Sequence, residues 1–363
     1  MLRYRADLRT LAYMALTTAL FVLQWTAIGM HWLSYTLYLF LSVSVSAITH
    51  NHNHVRMWKS DLLNTLQDWW LTVFYGFPVF AWIPTHNKNH HRLNNRPGDH
   101  TIWYRVSERN NLLTLLSYPT ISGFYQQRAI KEYLGGLYRK NRGRFYLSIA
   151  QYAVLISWIT VFVLLDWWKA ILFVIIPQQV SLFSVLIFNY VQHVHANEES
   201  DWNHSRNFTG LFNFFLFNNG LHTAHHERAG THWSEAPAEH RKVEHLIDTS
   251  LNERSFCWYL LRNYVLGAFN KKCRTNSMRL QRIEAERTVN LMKMREGDSV
   301  PAQRPTRHIK CREHGARNLG KQPCSDEIEP GHADDISPLQ LGEEVFLVHG
   351  AVTGAISSGT GGA

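Results

Sequence analysis

The sequence predicts an all-α integral membrane protein: four transmembrane helices in two hairpins, beneath a histidine-rich cap on the cytoplasmic side. Three observations predict it. Long runs carry no Asp, Glu, Lys or Arg: Thr10 to Thr49 (40 residues), Phe145 to Leu165, and Ala170 to Asn197. Basic residues precede the first and third of the expected crossings. Clusters of histidine stand at the ends of these runs.

The first run is long enough for two crossings, since one helix needs about 20 apolar residues to span the hydrocarbon core. A turn near Gly29 to Trp32 divides it, giving crossings at about 10–28 and 31–49. A cleaved signal peptide would have an apolar region of only ~7–15 residues, so the run is read as membrane-embedded. The other two runs give crossings at 145–165 and 170–190, separated by DWWK at Asp166 to Lys169. Arg3, Arg5 and Arg9 precede the first crossing, and Arg128, Lys131, Arg139, Lys140, Arg142 and Arg144 precede the third. The positive-inside rule places both segments, and therefore both termini, in the cytoplasm.

Two further apolar stretches are expected at the interface. Residues 66–85 are interrupted by Asp68, Gly76, Pro78 and Pro84, and their aromatic residues favour the headgroup region. Trp69, Trp70, Phe74 and Tyr75 would anchor there or seal an approach to the cap. Asn110 to Tyr125 is short, and Pro119 is expected to cut it. Residues 1–270 form the expected membrane domain. Residues 271–363 are polar and basic, and from Gly297 rich in Pro, Gly and Ser, which reads as a flexible tail.

The net charge of +9 suggests nucleic acid only superficially, because topology and lipid headgroups account for basic flanks. Arg56, Lys59, Lys88 and Arg92 could also meet an anionic headgroup or an acidic electron donor. The four cysteines, Cys257, Cys273, Cys311 and Cys324, form no CxxC pair, so neither a disulfide framework nor a rubredoxin-like site is expected.

The histidines carry the chemistry. His50 and His54 end crossing two, His86, His90 and His91 follow the first interfacial stretch, His193 ends crossing four, and His222, His225 and His226 follow another aromatic run. The i,i+4 pairs His50/His54, His86/His90 and His222/His226 share a face on a helix, with His225 near that of His222. Adjacent rings could serve two neighbouring metal ions. Nine imidazoles exceed the four ligands of structural zinc, and no Glu plus ExxH pattern of soluble di-iron bundles is present. A histidine-ligated di-iron site in the cap uses all the clusters. His31, His100, His204, His240 and His245 are read as local polar residues, and His52 and His195 as supporting or surface residues. Asp201 and Glu227 are candidates to hold the second nitrogen of a ligand ring.

These motifs resemble those of the membrane fatty-acid desaturase and hydroxylase superfamily. HxxxH is matched by His50 and His54, HxxxHH by His86, His90 and His91, HxxHH by His222, His225 and His226, and NxxxH by Asn189 and His193. The resemblance covers roughly residues 10–250. It implies two non-haem iron ions, O2, a lipid or acyl-thioester substrate, and an external electron donor: ferredoxin, rubredoxin, or a cytochrome b5-like carrier with its reductase. It further implies that Asn189 contributes to the site through water. HHERAGTHWSEAP is similar to bacterial desaturase-like proteins, and hence to a bacterial inner-membrane location. The long second box, NYVQH and SDWNHSRN are also similar to membrane alkane hydroxylases. Fatty-acyl desaturation is the leading expectation, and hydroxylation of an alkyl, acyl or related lipid chain is the alternative. A zinc hydrolase would need an acid–base partner such as HExxH, which is absent. A metal transporter would place its ligands near the membrane midplane rather than at helix ends.

Overall fold

The computed structural model describes residues 1–295. Four of its helices are long and apolar enough to cross a membrane: Asp7–Ile28, Trp32–His54, Arg142–Leu165 and Trp167–His193. We call them α1, α2, α5 and α6. Between the pairs lie α3 (Asp61–Tyr75) and α4 (Leu112–Lys140), and after α6 come α7 (Leu211–Phe215), α8 (His222–Glu227), α9 (Ala236–Val243), α10 (Phe256–Leu260) and α11 (Met278–Arg295). The only strands among the described residues are a parallel pair, Asn207–Phe208 with Asn252–Glu253. The expected four crossings in two hairpins are present.

The first hairpin turns at Gly29, whose φ of +58° suits a residue without Cβ. The helices then pack through aromatic residues. Phe21 of α1 meets Phe74 of α3 and Trp158 and Phe162 of α5. In hydrocarbon, every backbone polar group needs a protein partner. Pro177 in α6 lacks an N–H, and the π-helical turn before it, Ile171–Ile175, contains the carbonyl of Phe173. Tyr38 of α2 donates its hydroxyl to that carbonyl at 3.0 Å, and Tyr35 donates to Leu172 O at 2.9 Å. These bonds tie α2 to α6, the two helices that end in the histidines of HNHNH and NYVQH. Gln178 donates to Val73 O at 2.7 Å. Its backbone approaches Gly76 (φ +85°) so closely that a Cβ there would lie 2.6 Å from Gln178 Cβ.

One expectation is corrected. Pro119 does not cut the segment at 110–125, because it lies buried inside α4, a continuous helix of 29 residues. Asn111 and Thr114 form a reciprocal cap at its start, and Leu115, Tyr118, Pro119 and Ser122 are buried along one face. Packing along that face outweighs the local penalty of the proline. Leu112, Leu113, Leu116 and Phe124 are exposed.

Beyond residue 270 the chain continues into α11. Arg279 of this helix pairs with Glu108 and Glu198, and Arg282 with Glu198 at 2.8 Å. The rest of the expected tail lies outside the described residues, as do Cys311 and Cys324. Cys257 and Cys273 are free thiols.

Candidate metal centre

The last turn of α2 presents His50 and His54. The chain reverses through α3 and enters a wide, π-helical segment, Ile83–His90, which carries His86 and delivers His90 and His91. His193 is the last residue of α6, and α8 supplies His222, His225 and His226. These four regions bring nine rings together. Ligand-capable atoms of His50, His54, His86, His91 and His225 lie within 4.8 Å of one another, as do those of His90, His193, His222 and His226.

The partition differs from the i,i+4 expectation. His86 does not share a point with His90. Its Nε2 is 3.0 Å from His91 Nε2 and 3.0 Å from His50 Nε2, whereas His90 Nε2 is 3.1 Å from His193 Nε2. A π turn closes at i+5 rather than i+4, so residues 86 and 91 come onto one side. His225 likewise leaves His222 and joins the five-ring cluster. His222 Nε2 stands 2.9 Å from His193 Nε2 and 3.1 Å from His226 Nε2.

These separations bear on what the clusters can hold. Two nitrogens ~2.1 Å from one ion stand ~3.0 Å apart on an octahedral edge and ~3.4 Å apart on a tetrahedral one. Five of the ring-to-ring separations, at 2.9–3.1 Å, match the octahedral spacing. Direct N–H···N bonds cannot satisfy the rings fully: Nε2 of His54 and of His225 are buried without a hydrogen-bond partner. The donor set therefore fits metal ions in both clusters, and the five-ring set exceeds the four ligands of tetrahedral zinc.

Protonation and ring orientation agree with this. Burial first, then repulsion between neighbouring rings, holds His86, His91, His222, His225 and His226 well below the ordinary imidazole value of 6.5. Neutral imidazole is the form that binds metal. His193 donates from Nδ1 to His204 O at 3.1 Å, and His50 from Nδ1 to Asn51 Oδ1 at 3.2 Å. Each bond turns the Nε2 lone pair toward its cluster.

The most developed support is one that sequence reasoning missed. Asp99 is fully buried and its Oδ2 lies 2.9 Å from His90 Nδ1. It also accepts from the amides of Asn95 and Thr101 and from Thr101 Oγ1, each at 2.7 Å. Burial opposes its ionisation, yet His90 and the Thr101 donors hold its carboxyl well below the usual carboxylate range. Asn94 and Asn95, at φ 47° and 62°, reverse the chain so that Asp99 returns to His90; asparagine tolerates this left-handed region. The only hint in the sequence was turn-forming NNRPGD after the second box.

The other candidates fall as follows. Asn189 lies one turn before His193 and donates to Tyr118 Oη at 2.7 Å; Tyr118 donates to Thr101 O at 2.8 Å. Asp201 is exposed. Glu227 Oε1 is 4.0 Å from His204 Nε2. His204, read as a local polar residue, is buried with its ring 5.4 Å from that of His226; burial pushes it down to about 4. His52 faces away from the rings and lies 3.3 Å from Asp68, which also pairs with Arg56. His195 is bound to Thr275 and to Glu108 O. Of the aromatic residues, Trp82 rather than Trp69 or Trp70 packs on the five-ring cluster, 5.0 Å from His86 and 5.4 Å from His50. His232, on the loop after α8, is fixed 3.2 Å from Asp7 and stacks on Tyr4.

Fold and site together define a helical integral membrane protein with a buried polyhistidine metal centre at the ends of its crossing helices. The family model for fatty acid desaturase matches residues 8–258, and the chain belongs to that family. Membership makes it an enzyme and implies di-iron desaturation or hydroxylation of a lipid chain, with O2 and an electron donor. No curated protein and no solved structure matches the chain.

Proposed function

We propose that the chain is an O2-dependent fatty-acyl desaturase in which the five-ring and four-ring clusters each hold one iron ion. The single observation that carries the reading is the split of nine imidazole rings into two adjoining sets of five and four. Bound iron supplies the redox chemistry needed to take hydrogen from an unactivated methylene, which no acid–base group can do. Electrons come from an external carrier, as family membership implies.

The residues of the chain have separate tasks. His50, His54, His86, His91 and His225 face one ion, and His90, His193, His222 and His226 the other. Asp99 keeps His90 in the tautomer that offers Nε2. Asn189 lies a turn from His193 and supports the four-ring side through water, while Glu227 steadies the nearby His204. Trp82 packs over the five-ring side and shields it from water. The histidine face is cytoplasmic, and a bacterial inner membrane is the location that the basic flanks and motifs favour.

Product analysis tests the reading. Membranes containing the chain, given reductant, a donor, O2 and labelled acyl lipid, should yield unsaturated chains. Hydroxylated products alone would establish the alternative, supported by the HxxxHH spacing. Zinc as the sole metal, with turnover in the absence of O2, would overturn both.

A further inference from the structure

A cavity of about 440 Å³ lies apart from the two clusters, lined by none of their nine rings. Three guanidinium groups line it: Arg206, Arg262 and Arg274. Two carboxylates also line it, and both are engaged. Glu253 pairs with Arg262, and Asp248 accepts from the Ser250 amide at 2.8 Å.

Arg206 is the telling residue. It is only 2% exposed, and no carboxylate pairs with it among the described residues. Its Nη1 donates to Val191 O and Val194 O at 2.9 and 3.0 Å, which caps the end of α6 and engages that nitrogen. Its Nε is buried with no hydrogen-bond partner among the described residues, and so is Nε of Arg262. Arg274 spends its Nε on Gly267 O and also has no carboxylate partner among the described residues. A buried guanidinium without an anion is costly, and guanidinium groups from three separate segments line this one cavity.

We propose that this cavity is a binding site for a phosphate group. A carboxylate needs only one guanidinium fork, whereas a phosphate offers three oxygens to donors arriving from separate elements. The volume suits a small molecule or a headgroup rather than a bare ion. The phosphate is carried either by a soluble ligand or by an anionic lipid.

The test uses the full-length, iron-loaded protein in nanodiscs of zwitterionic lipid. Inorganic phosphate is titrated at constant ionic strength against chloride, reading thermal unfolding and calorimetric heat. A second preparation replaces part of the lipid with phosphatidylglycerol. Saturable stabilisation is expected from one of the two probes, weakened at least tenfold in both Arg262→Gln and Arg274→Gln, with iron content unchanged. Response to inorganic phosphate identifies a soluble source, and response to phosphatidylglycerol alone identifies a lipid. Stabilisation no greater than that of chloride with either probe would overturn the proposal. So would a response that both variants retain in full, since the anion would then sit elsewhere.

Discussion

Asp99 and His90 form a fully buried pair, with Oδ2 2.9 Å from Nδ1, nine residues apart in sequence and joined by a left-handed turn. The carboxylate touches no other ring of the nine. It acts by fixing which His90 nitrogen carries the proton and which faces His193. Asp99→Asn keeps the shape and removes the charge. Loss of such an outer contact lowers metal affinity by about 10–100-fold. The iron-dissociation rate of the variant should rise accordingly, and equal retention in a chelator chase would refute the role.

His225 is the one α8 residue in the five-ring cluster. His225→Ala should abolish turnover and reduce bound iron, measured by metal analysis of purified protein. His240 is buried in α9 but belongs to neither cluster. His240→Ala should cost stability through lost packing while iron and turnover stay near the wild-type level.

Acid should act in a defined window. The unfolded rings take up protons near 6.5, while burial holds His86, His91, His222, His225 and His226 well below that value and His204 at about 4. Below 6.5 the unfolded chain therefore binds more protons than the folded one, and stability falls with falling pH toward 4. Protons also compete with metal for the same nitrogens. Melting scans of metal-free protein should show the loss beginning near pH 6.5. Added ferrous iron should move it to lower pH, and a flat profile from pH 7 to 4 would contradict the burial of these rings.

Tyr38 of α2 donates to Phe173 O at 3.0 Å, in the π-helical turn before Pro177. Tyr38→Phe removes this buried bond between α2 and α6, at a cost of about 1–3 kcal/mol. Its melting temperature in detergent should drop, and an unchanged melting temperature would show that the bond does not hold the two helices.

Much of this protein was legible along the chain. Charge-free length specified four crossings because a bilayer tolerates nothing else of that kind. The spacing of the nine histidines picked out the rings that the fold brings together. Local pattern failed where a neighbour overruled it. Pro119 breaks a helix only in isolation, and α4 has a buried face that carries the helix past it. Asp201 looked close to a box in sequence, yet it is exposed, while Asp99 was carried to His90 by a turn that spacing does not encode.

The sequence by itself determined the number of membrane-length helices and which nine imidazoles converge, since apolar length and residue type are properties of the chain. Only the tertiary structure decided how those rings divide into five and four. The reason is geometric: one π turn moves the same-side partner of His86 from residue 90 to residue 91.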